Sequence, residues 1–320
     1  MFVVANNLGR RQPPPPDNPE GLKHCTQAPV ALSDNERRTQ HIGIAMVKPP
    51  EVGLAELRVE LDRIDAEMQE LLIARSEVTD RVEQVKRRAG TAGSAFRPGR
   101  EAEIMRMLAR RHRGSYPFDG TENIWRVIIA TSTFTQVPYT VYGDASGGDA
   151  PIRDSVRFHF GFTVPFVPLI NAKEVIEAVD ARPSDLGVFP RAQSMETGAW
   201  WRLLHGENRP KIIARLPFVE RENHPSGIPV FVIAKPLKEA AVREGIVASL
   251  WMERWHAGIP AALESLGARL EATAGIESGL SLLVTHPGTL SAEALLAGLK
   301  NLGCHVRYDE VGSHAAAYSV

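Results

Sequence analysis

The chain has 320 residues, 43% of them hydrophobic, which favours about two domains with buried cores. A formal net charge of −1 argues against nucleic acid or a membrane surface as a partner attracted by bulk charge. The two cysteines, Cys25 and Cys304, form neither a disulfide framework nor a zinc spacing, so we expect a cytoplasmic protein without a metal or cofactor.

The first 50 residues are predicted to be a disordered extension. They contain the run Pro13 to Pro16, scattered polar residues and no sustained periodicity. Neither a signal peptide nor an apolar run long enough to cross a membrane is present in the sequence. Met46, directly before VKPPEVGLAELR, is a candidate for the true start.

A long amphipathic helix is predicted from about Leu54 to Arg88. Its apolar side chains recur every three to four residues, and this rhythm places Arg75 on the apolar face. Burying a guanidinium costs several kcal/mol unless a group of opposite charge lies beside it. Either a carboxylate of the protein or an anionic ligand should therefore lie beside Arg75. The apolar positions are Leu54, Leu57, Leu61, Ile64, Met68, Leu71, Val78, Val82 and Val85.

Two more cations on this helix suggest how a ligand is held. Lys86 lies eleven residues after Arg75, on nearly the same face and about 16 Å further along. Together they could bind one small dianion. Arg58 is 17 residues from Arg75, about 25 Å away, so it can share that ligand only from a second, antiparallel copy of the chain. An intertwined homodimer is the prediction.

Two shorter helical patterns follow, and polar residues interrupt the apolar stripe of each. Glu101 lies at the start of the second pattern, and Ser132 and Gln136 lie one turn apart in the third.

Residues 54–137 resemble the all-helical class of chorismate mutase. LAELRVELDRIDAEMQELLIARSEV is similar to the first helix of that class, FRPGREAEIMRML to the second and RVIIATSTFTQ to the third. The resemblance implies an all-α three-helix domain at 51–138 that forms an intertwined dimer. It also implies conversion of chorismate to prephenate in aromatic amino acid biosynthesis.

The resemblance implies roles for the cationic residues and for Gln136. Arg58 would reach into the partner subunit's site, and Arg75 would bind a substrate carboxylate. Lys86 and Gln136 would hold the ether oxygen of the breaking bond.

The remaining site residues implied by the resemblance lie around the second helix. Glu101 would bind the ring hydroxyl, and Arg100 and Ser132 would line the pocket. The best-known members carry an aspartate three residues before the position of Arg100, where this chain has Arg97. This departure affects one hydroxyl contact.

These residues also have structural interpretations. Arg58 and Lys86 could be solvated side chains that snorkel past an apolar seam. Arg75 and Glu101 could form a buried ion pair, and Ser132 could bond to its own helix backbone. The agreement of all these positions with the family's spacing favours the functional interpretation.

After Pro138 short β-rich runs alternate with helical segments, which is an α/β pattern. Residues 139–236 weakly resemble the catalytic domain of prephenate dehydratase, a two-lobed fold like that of periplasmic binding proteins. The segment LGVFPRAQSMETG has the Gly-Val-x-Pro-x-x-x-Ser pattern of that family at Gly187, Val188, Pro190 and Ser194.

The resemblance to the dehydratase fails at two places. Ala192-Gln193 replaces the usual Glu-Asn, and Ile228-Pro229-Val230 replaces Thr-Arg-Phe. The second change removes the family's acid catalyst and a carboxylate anchor, so we predict no dehydratase activity. The region is then either a scaffold that kept its fold or a sensor for an aromatic amino acid or prephenate.

The last segment, from about 278 to 320, is predicted to form a strand, a helix and a strand, with Gly288 before the helix. It is similar to the ACT-type regulatory module, although the Glu-Ser-Arg-Pro signature of that module is not present. The sequence is compatible both with an inert βαβ cap and with an effector site.

Other motif classes are not found, among them the phosphate-binding loop, zinc protease, nucleophile-elbow and dinucleotide patterns. Three functions remain: a chorismate mutase with a noncatalytic C-terminal region, a bifunctional mutase and dehydratase, and a non-enzymatic dimeric ligand sensor. Pyruvate lyases acting on isochorismate share the helical fold, so the fold does not by itself determine the substrate.

Overall fold

The computed structural model describes residues 53–88, 96–191, 198–236, 242–300 and 302–320. The chain divides into two compact units, residues 1–61 and 62–320, and the described part of the first is residues 53–61. The extension predicted at 1–50 and the motif residues 192–194 lie outside the described residues.

Three helices come first: α1 is Leu54–Arg88, α2 is Pro98–Arg111 and α3 is Phe118–Gln136. The bounds of α1 are those predicted. Proline begins α2 because its fixed φ suits the first helical position, where its missing N–H would have no partner. Helix α3 begins earlier than the predicted segment, directly after Pro117.

The apolar face of α1 is exposed in the single chain. Met68 is 52% exposed and Leu71 is 70% exposed, whereas Met105 of α2 and Ile129 of α3 are buried. A contiguous exposed apolar surface marks a site of interaction with another molecule.

The α/β region alternates short strands with helices. Its first part contains β1 (Val141–Asp144), α4 (Asp149–Phe160), β2 (Phe166–Leu169), α5 (Ala172–Ala181), β3 (Leu186–Pro190), a 3₁₀ helix (Trp200–Leu204), β4 (Lys211–Leu216), β5 (Val219–Glu220) and β6 (Val230–Ala234). Its second part contains β7 (Gly245–Met252), α6 (Ile259–Ser265), β8 (Arg269–Ile276), β9 (Gly279–Pro287), α7 (Ala292–Lys300), β10 (Val306–His314) and β11 (Tyr318–Ser319).

The described strands other than β5 and β11 form one sheet, in the order β2-β1-β3-β6-β4-β10-β7-β9-β8. Strand β1 is parallel to β2 and β3, and β6 is antiparallel to β3 and β4. Strand β2 is one edge, and Pro168 lies within it. The predicted order of a helical domain followed by an α/β region is confirmed, whereas the intertwined dimer stays a prediction.

The C-terminal half of the sheet is a βαββαβ unit with the order β10-β7-β9-β8, a ferredoxin-like arrangement. The sequence pattern indicated only its second half, from about 278. Strand β7 was missed because it is buried almost throughout and therefore lacks the alternation typical of half-exposed strands.

The two halves of the sheet meet at one pair of residues, where Gly312 of β10 lies beside Ile212 of β4. A Cβ on Gly312 would lie 2.1 Å from the carbonyl oxygen of Ile212, so glycine is required for this approach. The 3₁₀ helix reinforces the join, since Trp201 Nε1 donates to Ser281 Oγ of β9 at 2.8 Å and Phe189 of β3 stacks on Trp200.

Within the described residues, no helix combines the length and apolar character needed to cross a membrane.

Candidate active site

Arg75 is half-buried on α1, and its Nη1 donates to Ser132 Oγ on α3 at 2.7 Å. Burial lowers the pKa of the guanidinium. Among the described residues, no carboxylate lies within ion-pair distance of Arg75. The cation is therefore partly removed from water with a neutral hydroxyl as its hydrogen-bond partner, and several of its donors remain available for a ligand.

Ser132 and Gln136 lie one turn apart on the side of α3 that meets Arg75. Ser132 Oγ accepts from Arg75 and donates to the carbonyl of Ile128 at 2.8 Å. Gln136 Nε2 donates to the carbonyl of Ser132 at 2.9 Å. Ser132 therefore does bond its own helix backbone, in addition to contacting Arg75. The structure thus brings Arg75 and Ser132 into contact, with Gln136 one helical turn from Ser132.

Lys86 and Arg58 lie on α1 with Arg75, as predicted. The side chain of Lys86 is outside the described part of the structure. Arg58 belongs to the unit of residues 1–61, where its side chain is exposed. The roles of both in binding a ligand remain predictions.

Arg100 is on the exposed side of α2, where it forms an ion pair with Glu103 at 3.3 Å. Arg97, at the position of the family's aspartate, is the N-cap residue of α2, and its carbonyl accepts the backbone N–H of Glu101 at 3.0 Å. Arg97 therefore contributes backbone to the start of the helix that carries Arg100.

Glu101 is buried and forms an ion pair with Arg126 of α3, with 2.6 Å between Oε2 and Nη1. Burial raises the pKa of Glu101, and Arg126 opposes that rise. The other guanidinium nitrogens of Arg126 donate to the carbonyl of His159 at 3.1 and 3.0 Å. The buried carboxylate thus has a cation, but that cation is Arg126 and not Arg75.

Arg126 was missed in the sequence, although the rule that singled out Arg75 also applies to it. It lies three and four residues before Ile129 and Ala130, which are both buried. A cation in phase with a buried apolar stripe requires a partner. Glu101, 25 residues earlier, is that partner.

Glu122 is a second buried carboxylate of α3 that the sequence analysis missed. It forms ion pairs with Arg221 at 2.7 Å and with His224 at 3.1 Å, and Arg221 also pairs with Asp119. The backbone N–H of Ser226 donates to His224 Nδ1, so the ring proton is on Nε2 and points to Glu122. These contacts fasten α3 to the α/β region.

The dehydratase-like signature positions lie at adjoining ends of β3 and β6, where Pro190 pairs with Val230. A cavity of about 800 Å³ lies there, lined by Pro229, Arg191, Arg221 and His224 among others. Arg191 forms ion pairs with Glu220 at 2.9 Å and Glu271 at 3.3 Å. Unlike Arg75, the arginines of this cavity already have carboxylate partners.

The family model of chorismate mutase type II matches residues 57–137. Residues 57–137 are a chorismate mutase type II domain. This segment contains all seven predicted site residues of the chain.

The similarity to curated relatives covers more residues than the three helices contain. The chain is 28% identical over 147 residues to a bifunctional chorismate mutase/prephenate dehydratase of Aquifex aeolicus, covering 45% of this chain and 40% of that one. Identity to the Pseudomonas aeruginosa protein of the same name is 26% over 146 residues, with the same coverage. The chain thus spans about 40% of the length of the curated relatives it matches.

A solved prephenate dehydratase from Streptococcus mutans is 16% identical and covers 56% of this chain and 98% of its own, with a TM-score of 0.33. A TM-score this low does not establish a shared fold.

Proposed function

We propose that this protein is a chorismate mutase that converts chorismate to prephenate as a homodimer. The observation that carries the proposal is the environment of Arg75, which lies in the segment matched by the chorismate mutase type II model. Its half-buried guanidinium donates to Ser132 and has no carboxylate partner among the described residues. An anionic substrate would complete its coordination.

The reaction suits a site of this kind. It is an intramolecular rearrangement in which a carbon–oxygen ether bond breaks as a carbon–carbon bond forms, with no proton transfer and no covalent intermediate. The protein therefore needs only to hold a compact conformer and to stabilise negative charge on the ether oxygen. In the proposed site Arg75 binds a substrate carboxylate, and Lys86 and Gln136 donate to the ether oxygen.

Glu101, Arg100 and Ser132 complete the proposed site. Ser132 supports it most directly through its bond to Arg75. Glu101 is proposed to bind the ring hydroxyl with Arg126 as its ion-pair partner. Arg100 is exposed in the single chain and would line the pocket once a second chain covers this surface.

A homodimer would cover the exposed apolar face of α1. Ile64, Met68 and Leu71 are all exposed in the single chain although they occupy core-like positions of the helix pattern. An antiparallel second copy would bury them and could bring its Arg58 to Arg75, which lies about 25 Å from Arg58 along one helix.

The first test is to add chorismate to the purified protein, follow its ultraviolet absorbance, and identify the products by chromatography without acid. Prephenate as the product, lost in Arg75→Ala, supports the proposal. Absence of turnover favours the non-enzymatic sensor, and release of pyruvate from isochorismate would favour a lyase.

A complementation experiment tests the dimer and the role of Arg58 together. A mixed dimer of Arg58→Ala and Arg75→Ala chains has one site with both arginines and one with neither. Random reassociation of the two inactive variants should therefore recover about one quarter of wild-type activity. No recovery in mixtures that form mixed dimers would contradict the contribution of Arg58 in trans.

We further propose that the α/β region is not a working dehydratase. This is supported by Ile228-Pro229-Val230 and by the carboxylate partners of Arg191 and Arg221. The names of the bifunctional relatives favour the alternative of a second activity. Phenylpyruvate among the unacidified products would establish the bifunctional reading and overturn ours. An aromatic amino acid remains a candidate effector of this region.

A further inference from the structure

A cavity of about 400 Å³ lies where the two halves of the sheet join. Its walls include Ile212 and Ile213 of β4, Gly312 of β10, Pro98 at the start of α2, and Lys211. The volume is within the usual range for small-molecule sites, and the lining combines apolar side chains with a few charged groups, as such sites do.

The backbone around the cavity departs from regular sheet on both sides. The pairing of β4 with β6 shifts between Ile212 and Ala214, and the pairing of β10 with β7 shifts between Glu310 and Gly312. These are β-bulges, which leave one residue out of the ladder and are common beside functional sites. Two facing bulges open the sheet where the cavity forms.

Among the described residues, Lys211 is the cation of the cavity wall that forms no ion pair. It is half-buried, and its Nζ donates to the carbonyl of Leu204 at 2.7 Å. No carboxylate of the described chain lies within ion-pair distance of this ammonium. Burial lowers the pKa of Lys211, and Glu310 and Asp309 partly oppose this from a greater distance.

The wall also contains Glu207, an exposed carboxylate, and one charged pair that is already balanced. Arg243 donates to both carboxylate oxygens of Glu310, at 2.6 and 3.0 Å. A bidentate pair of this geometry neutralises itself. Lys211, with three N–H donors of which one is used by the described residues, is therefore the group that a ligand would engage.

We propose that this cavity binds a small carboxylate with an apolar body. Lys211 receives the carboxylate, and Ile213, Pro98 and Pro236 surround the apolar part. This inference does not depend on the mutase activity, because it rests on a different group of residues and its test measures binding.

The test is calorimetric titration of the full chain with three probes that share a phenyl ring. They are 3-phenylpropionate, which has only a carboxylate, phenethylamine, which has only an ammonium, and L-phenylalanine, which has both. Binding of the two carboxylates without the amine is expected. Equal binding of phenethylamine, or heat from none of the three, would overturn the proposal.

Two variants locate the binding. Lys211→Met should weaken binding of both carboxylates by roughly tenfold or more, because a hydrogen bond to a charged group is lost. Lys173→Met, which removes an exposed lysine paired with Glu177 on α5, is the matched control and should bind as wild type. Unchanged binding by Lys211→Met would refute the assignment.

A third variant decides the case if Lys211→Met does not fold. Ile213→Trp keeps the charge and fills the cavity, so it should abolish binding of both carboxylates while circular dichroism shows a folded chain. Wild-type affinity in folded Ile213→Trp protein would place the ligand elsewhere.

Discussion

Arg75 on α1 and Arg126 on α3 are both withdrawn from water, but their surroundings differ. Arg126 is completely buried with Glu101 as a counter-ion and a backbone carbonyl as a second acceptor. Arg75 is half-buried, and the described chain offers it a hydroxyl and no carboxylate. A balanced cation holds elements together, whereas a cation left without its counter-ion is suited to bind one from solution.

Breaking the balanced pair should have the largest effect. Arg126→Met should lower the free energy of unfolding by about 3–5 kcal/mol, because Glu101 would be left as an uncompensated buried charge. Denaturant unfolding measures this. Arg111→Met, at the exposed end of α2, should change stability by less than about 0.5 kcal/mol.

The double variant Glu101→Leu/Arg126→Met sharpens this prediction. It removes both charges together, so it should be distinctly more stable than Arg126→Met alone. If the double variant is the less stable of the two, the destabilisation does not come from an orphaned charge.

Arg75→Ala should leave the fold intact and lower kcat/KM for chorismate by about 10²–10³-fold, the usual cost of losing a preorganised donor to a charged group. Steady-state kinetics with circular dichroism measures both. Arg63→Ala is the control on the same helix, since Arg63 forms an exposed ion pair with Glu67. Loss of activity in both variants would point to damage to α1 rather than to the site.

His314 of β10 is a buried imidazole that forms no ion pair among the described residues. It therefore shows how burial without a counter-ion affects a basic group. Burial lowers its pKa from 6.5 to about 4, with Arg215 and Arg191 acting in the same direction and Glu220 and a bond to the Ala315 carbonyl opposing. The folded state then binds fewer protons than the unfolded state between those values. Stability should therefore fall by about 3 kcal/mol as the pH drops from 6.5 to 4.

The free energy of unfolding of His314→Gln, measured across that pH range, isolates this contribution. Its dependence on pH should be weaker than that of the wild type. His305→Gln, at an exposed position, should keep the wild-type slope. Parallel slopes for the wild type and His314→Gln would contradict the assignment.

The last prediction concerns Gln136. In Gln136→Glu only the protonated carboxyl can donate to the ether oxygen, so activity should fall about tenfold for each pH unit above the pKa of that carboxyl. The wild type should show no such dependence. A variant whose pH–rate profile follows the wild type would remove Gln136 from the reacting centre.

The helical part was largely predictable because its pattern is strong. A stripe repeated over 35 residues defines α1, and Arg75 stands out as a cation within it. The contact of Arg75 with Ser132 follows the predicted convergence of the helices. An ion pair between Glu101 and Arg75 was the structural alternative, and the structure pairs Glu101 with Arg126, which the same pattern could have identified.

The α/β region was less predictable for a physical reason. Buried strands such as β7 show continuous apolar runs that resemble buried helix, and the seam between β4 and β10 depends on contacts about 100 residues apart. No local pattern encodes that Gly312 must lie against Ile212. Likewise, the partners of Glu122 come from a segment 102 residues away.

Pro168 has a consequence for how copies of this chain can associate. The carbonyls of Pro165 and Leu169 accept from β1, so the alternate residue Pro168 directs its backbone outward. Proline has no N–H, and the open side of β2 therefore lacks a donor at the point where an added strand would need one. Pairing of a strand from another chain at this edge is therefore disfavoured, and continuous growth of the sheet through β2 is opposed by a single residue.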